Sequence, residues 1–171
     1  MIAAGRADEA YLRYGLVSNT ASTYVGTLRA IAKKYPEKKP NEILRDLVRA
    51  APGQEVKWFA AAKDLKMFPE ALDLASRSPC EPKTLTRAAR DFLEKRTEFA
   101  LGCGVLALRW LASGHGYEIT SADVWAAYES TMKAAARLER SKATKGEVRR
   151  LFAQMPGSFA AGILRRELSL E

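Results

Sequence analysis

His115 is the only histidine of this 171-residue chain, and it stands between Gly114 and Gly116 in "SGHGYEITSAD". Imidazole titrates near neutrality and glycines let a ligand come close, the combination a mobile general base needs. No motif ties a nucleophile or partner acid to it, so the plainer reading is a turn residue. Cys80 sits just before Pro82 in "SPCEPKTL", where the N-terminus of a helix would lower a thiol pKa; its plainer reading is a structural thiol. Cys103, in "ALGCGVLAL", reads as a small buried hydrophobe. Neither cysteine has a Cys or His neighbour at metal-ligand spacing, and no glycine-rich phosphate loop with its lysine occurs. The residues imply no metal, no cofactor and no enzyme.

The other chemistry on offer is charge. The formal net charge is +8, and it is concentrated in two places. Residues 29–49 carry seven Lys or Arg against three acids, and residues 131–171 carry nine against four, while the remainder is slightly acidic. Two such segments could hold a polyanion through Lys33, Lys34, Lys38, Lys39, Arg149, Arg150, Arg165 and Arg166; otherwise they are well-solvated helical faces. Binding to single strands also calls for exposed aromatic rings among the cations. Trp58, Trp110 and Trp125 all fall on apolar helical stripes and are expected in the core, which leaves Tyr35, beside Lys33, Lys34, Lys38 and Lys39, as the one stacking candidate.

Helices must position these residues, since no stretch alternates long enough to be a strand. Ala7, Ala10, Tyr11 and Tyr14 form a stripe that ends near Gly15, with Ser18, Asn19 or Thr20 as the next cap. Leu28, Ile31 and Tyr35 mark a helix stopped by Pro36, and Ile43, Leu44 and Leu47 mark one that folds back on it. Trp58 and Phe59 belong to a helix over 54–66, Pro69 and Pro82 open two more, and residues 97–112 are apolar on most sides, which predicts a central, buried helix. Gly102 and Gly104 within it predict close approach by a neighbour. Thr120 or Ser121 caps a helix through Ala135, Thr144 and Glu147 have capping-box spacing for a helix over 148–155, and Phe159, Ile163, Leu164 and Leu168 make a last amphipathic turn or two.

Aligning "GRADEAYLRY" with "KMFPEALDLA" superposes Ala10 on Ala71, 61 residues apart, with room for one helix pair between them. "RTEFALGCGV" places Ala100 a further 29 residues on. A period near 30 with two helices per unit is the mark of a helical-hairpin array. "AGRADEAYLRY" resembles the second half of a tetratricopeptide unit, which implies an all-α array of antiparallel hairpins (an α-solenoid) of degenerate repeats. The stretches "KWFAAAKDLKMFPEALDLASRSPCEPKTLTRAARDF" and "GVLALRWLASGHGYEITSADVWAAY" are also similar to a group of bacterial proteins sharing a domain of unassigned function, a resemblance that covers most of the chain and supplies no catalytic residue.

The expectation is a single helical domain over 1–171, a hairpin array to about 113 and a C-terminal helical cap over about 120–168. Because residues 5–10 read as the start of a second helix with no first, Met1 is expected to open a fragment of a longer protein. No apolar run is long enough to span a bilayer and no signal peptide is evident, so a cytoplasmic protein is expected, not a membrane one. Its expected role is a non-enzymatic scaffold for a protein or peptide, with a nucleic-acid-binding module using segments 29–49 and 131–171 as the alternative.

Overall fold

The computed structural model describes residues 9–18 and 20–170, and every regular element among them is helical. The expectations attached to Met1, Ala7 and Asn19 lie outside the described residues. Two compact units divide the chain, Met1–Ser78 and Pro79–Glu171.

In the first unit a π-helical turn, Tyr11–Gly15, runs into α1 (Leu16–Ser18), followed by α2 (Tyr24–Lys34) and α3 (Pro40–Ala50). A 3-10 turn, Glu55–Trp58, leads to α4 (Phe59–Asp64) and then α5 (Phe68–Arg77). The first helical segment thus continues past Gly15, where the sequence had it stop. The absence of a side chain there serves packing instead: a Cβ on Gly15 would come within 2.9 Å of the Tyr35 ring. The cap of α2 is Thr23, whose hydroxyl accepts from the Gly26 amide at 3.0 Å, in place of Thr20; the Ser18 side chain lies outside what is described. Leu28 and Ile31 from α2 meet Ile43, Leu44 and Leu47 from α3, all nearly inaccessible to solvent, as the three-and-four spacing requires. Tyr11 is buried with them and donates its hydroxyl hydrogen bond to Asp46 at 2.8 Å. Burial first, then that carboxylate, lifts the phenol well above its usual range.

The second unit contains α6 (Pro82–Phe92), α7 (Thr97–Ala112), α8 (Ser121–Arg137), α9 (Ser141–Ala153) and α10 (Phe159–Leu168). Pro82 lies in the first turn of α6, where its missing N–H costs nothing. As the sequence implied, α7 is central: it packs against α6, α8, α9 and α10, and Phe99, Ala100, Cys103, Ala107, Leu108 and Leu111 are buried along it. The break between α9 and α10 is "PGS", after which Ser158 caps α10 by accepting from the Ala161 amide at 3.2 Å.

The capping box expected at Thr144 and Glu147 does not form. Instead, α9 starts at Ser141, and Thr144 is buried inside its first turn. The backbone reverses at Glu139, in the left-handed region at φ 58°, and the new helix begins directly after it.

Close approach at Gly104 is confirmed. A Cβ there would lie 2.4 Å from Thr131 Oγ1 and 3.0 Å from the Thr131 Cα on α8. A backbone atom cannot swing away, so α7 and α8 would have to separate. Gly104→Ala is therefore expected to destabilise the protein by about 1–3 kcal/mol despite alanine's better helix propensity. Adding Thr131→Ala should recover part of that loss, because it removes the nearest clashing atom. Denaturant unfolding of the single and double variants measures both effects, and additive losses would contradict the contact.

Candidate functional site

The residues with chemical potential stand apart from one another among the described residues. His115 is exposed on the α7–α8 loop, its ring edge-on to Trp110 with centroids 5.4 Å apart. Gly114 and Gly116 flank it at φ 76° and 119°, conformations that make them turn residues. Cys80 is buried, and desolvation, aided by the charge of Glu81, pushes its thiol up to about 12, the reverse of the activation its position before α6 suggested. Cys103 is buried on α7. Among the described residues no three His, Cys, Asp or Glu side chains cluster to hold a metal ion, and no helix is long and apolar enough to cross a membrane.

What the described surface does offer is open grooves between helices. In the first unit, α3 and α5 flank one floored by Leu44, Val48, Met67 and Leu74. Its charged rim is already matched: Arg45 pairs with Glu70 at 2.9 Å, Arg49 with Asp46 at 3.0 Å, and Arg77 with Asp73.

Two grooves of the second unit are different. Between α7 and α9, a groove of about 470 Å³ exposes parts of Val105, Leu106 and Leu151 beside Arg109 and Arg150. Neither guanidinium is in an ion pair among the described residues: Arg109 lies over the Trp110 ring at 5.1 Å, and Arg150 Nε donates to the Gly146 carbonyl at 3.4 Å. Glu147 lines the same groove.

Between α8 and α10, a cleft of about 560 Å³ is lined by Trp125, Gly162, Ile163, Arg165, Arg166 and Glu167. Here the expectation for Trp125 is overturned, since 38% of it is exposed, against 5% for Trp58 and 8% for Trp110. The physical reason is angular. Val124, Ala127, Tyr128 and Thr131 form the buried stripe of α8, and Trp125 stands at the edge of that stripe. Its ring meets Tyr128 edge-on at 6.0 Å. On α10 the buried residues are Ala160, Ala161, Leu164 and Leu168, which turns Phe159 and the Gly162–Ile163 pair outward.

The cleft's one carboxylate is occupied. Glu167 Oε1 accepts from Lys145 Nζ at 2.6 Å and from the Tyr128 hydroxyl at 3.0 Å. Those hydrogen bonds and the lysine charge hold its carboxyl below the usual range, while burial and that same carboxylate push Tyr128 up to about 12. Arg165 and Arg166 are exposed and stand in no ion pair among the described residues.

The other predicted basic residues are distributed as follows. Lys33, Lys34 and Lys39 are exposed and Lys38 is half-buried in the first unit, and Arg149 is exposed on α9. Tyr35 is not a stacking platform: it is buried, with its ring edge-on to Tyr11 at 5.2 Å. Lys34 and Lys38 sit over the Tyr35 and Tyr11 rings at 5.9 and 5.1 Å, and thus help cover that tyrosine pair. Sequence reasoning missed Trp125 and Phe159 as exposed residues and Ile163 as a half-buried one. The available signal was the offset of Phe159 and Ile163 from the Leu164–Leu168 stripe, by about one helical position.

No protein-family model, curated protein or solved structure matches the chain.

Trp125 lies in the second turn of α8, whose N-terminus is capped. Thr120 and Asp123 cap it reciprocally, the Thr120 amide and hydroxyl donating to Asp123 Oδ2 at 2.8 and 2.7 Å, and the Asp123 amide donating to Thr120 Oγ1 at 3.3 Å. These bonds, with Lys83 nearby, hold the Asp123 carboxyl below its usual value. A depressed carboxylate stabilises the fold above its unfolded pKa of about 3.9 and loses that contribution as pH falls through the folded value. Asp123→Ala is expected to cost about 0.3–1 kcal/mol at neutral pH, the usual contribution of an acid in a helix's first turn. The gap from the parent should narrow in acid, as denaturation at pH 7 and pH 3 will show; a pH-independent gap would contradict the ionic cap.

Proposed function

We propose that the chain is a non-enzymatic helical scaffold, tetratricopeptide-like in the stacking of its hairpins, that binds a protein partner through a short segment laid in the α7–α9 groove. One observation carries this reading: part-exposed Val105, Leu106 and Leu151 lie beside two arginines that are in no ion pair among the described residues. Aliphatic side chains gain from leaving water at about 25 cal/mol per Å². Carboxylates of an incoming segment would complete the guanidinium forks. An amphipathic segment carrying leucine-like and acidic residues at three-and-four spacing supplies both. Selection from a displayed random-peptide library should enrich such sequences. Leu106→Lys or Leu151→Lys should weaken the selected peptides at least about tenfold, the effect of losing roughly 1.4 kcal/mol. Absence of enrichment, or binders indifferent to both substitutions, would contradict the proposal.

A second reading, nucleic-acid binding through the basic segments, is favoured by the exposed cations Lys33, Lys39, Arg149, Arg165 and Arg166, none in an ion pair among the described residues. Phosphates would replace solvent as their partners and release counterions, so affinity should drop linearly on a log–log salt plot, with a slope of about −0.7 per phosphate for single strands. Labelled single- and double-stranded oligonucleotides titrated across a salt series test this. No association at low ionic strength would contradict it.

A further inference from the structure

Resting on the nucleic-acid reading, we propose that the α8–α10 cleft is a site for single-stranded nucleic acid, with a base stacked on Trp125 and the adjoining phosphates held by Arg165 and Arg166. The cleft joins three features such a ligand needs. It has an aromatic ring 38% exposed and braced by Tyr128, and every base presents a face that can stack on such a ring. It has two guanidiniums on adjacent residues of α10, both lining the cleft. Its own carboxylate is engaged by Lys145 and Tyr128, so the two arginine charges remain available for an anion. Its volume, about 560 Å³, lies within the usual range for sites that hold a small ligand.

The floor is open as well. Gly162 sits inside α10 at a non-positive φ, and nothing lies within 4 Å of the position its Cβ would take. No neighbour requires a glycine there, yet a helix-interior glycine is unfavourable relative to alanine. The bare backbone leaves the space beside Trp125 unfilled, which a flat ring can enter. A single strand fits better than a duplex, whose bases are already stacked on one another and cannot lie on the indole. An acidic peptide could meet the same arginines, but would leave the indole face without a planar partner.

The test compares three ligands by fluorescence anisotropy at low salt: a fluorescein-labelled oligo(dT) 12-mer, an abasic strand of equal length and charge, and an acidic peptide. The site predicts that oligo(dT) binds roughly 5- to 150-fold more tightly than the abasic strand, the range expected for one stacked base. Trp125→Ala should erase that difference, and Trp125→Phe should keep most of it, which separates loss of stacking from loss of fold. Arg165→Ala with Arg166→Ala should weaken both strands, and Gly162→Leu should weaken oligo(dT) by filling the cleft while leaving thermal stability equal or higher. Equal binding of the oligo(dT) and abasic strands, or an unaffected Trp125→Ala, would overturn the stacking site while leaving the wider basic reading standing. Binding of the peptide alone, or of nothing at low salt, would overturn both.

Discussion

The second unit is organised around the place where Gly104 of α7 meets Thr131 of α8 at a distance no Cβ would permit. Close backbone approach lets the two longest helices of the chain share their faces, and α6, α9 and α10 pack against what remains of them. Thr131 is fully buried there, but its hydroxyl donates to the Ala127 carbonyl at 2.7 Å, so no polar group is stranded at the contact. The position of α8 then decides the position of Trp125, and the small residues Ala160 and Ala161 let α10 lie down beside it. The α8–α10 cleft is thus a product of core packing as much as of surface composition.

Charge plays two separate roles. Arg137 reaches Glu94 in the α6–α7 turn at 2.6 Å, Arg140 before α9 reaches Glu98 on α7 at 2.9 Å, and Lys145 on α9 reaches Glu167 on α10 at 2.6 Å. All are solvent-exposed, and each contributes at most about 1 kcal/mol. They matter more for what they withdraw from the surface, because Glu167, the carboxylate of the α8–α10 cleft, is engaged internally while Arg165 and Arg166 are in no ion pair among the described residues. A net charge of +8 spread evenly would carry little information. Sorted in this way, exposed cations in no ion pair among the described residues include Lys33 and Lys39 in the first unit and Arg149, Arg165 and Arg166 in the second.

Much of this was legible along the chain. Periodicity identified helices throughout, the near-continuous apolarity of residues 97–112 marked α7 as central, and Gly104 announced its close neighbour. A cap at Thr120 or Ser121 was readable, and the structure places it at Thr120. Trp125 was not readable: a tryptophan one step from a buried valine lies within the apolar arc on a helical wheel, and only the position of α10 decides whether it is covered. Tyr35 failed for the opposite reason, since its neighbours in sequence are lysines but its partner in space is Tyr11, 24 residues earlier. Thr144 failed because a Thr and a Glu three residues apart have the same spacing inside the first turn of a helix already begun at Ser141 as they would at a true start. For Trp125 and Tyr35 the missing information was pairing between distant segments; for Thr144 it was where the helix begins.

Trp125 and the two arginines of α10 are proposed to form one ligand-binding surface, in the cleft between α8 and α10. Nitrogen–proton correlation spectroscopy of the three indole groups addresses it directly, because Trp58 and Trp110 are buried and Trp125 is not. Titration with oligo(dT) is predicted to move the Trp125 indole signal, assigned by its loss in Trp125→Phe, together with the Arg165 and Arg166 amides, and to leave the other two indoles in place. A Trp125 signal that stays fixed while oligonucleotide binds elsewhere would contradict the account.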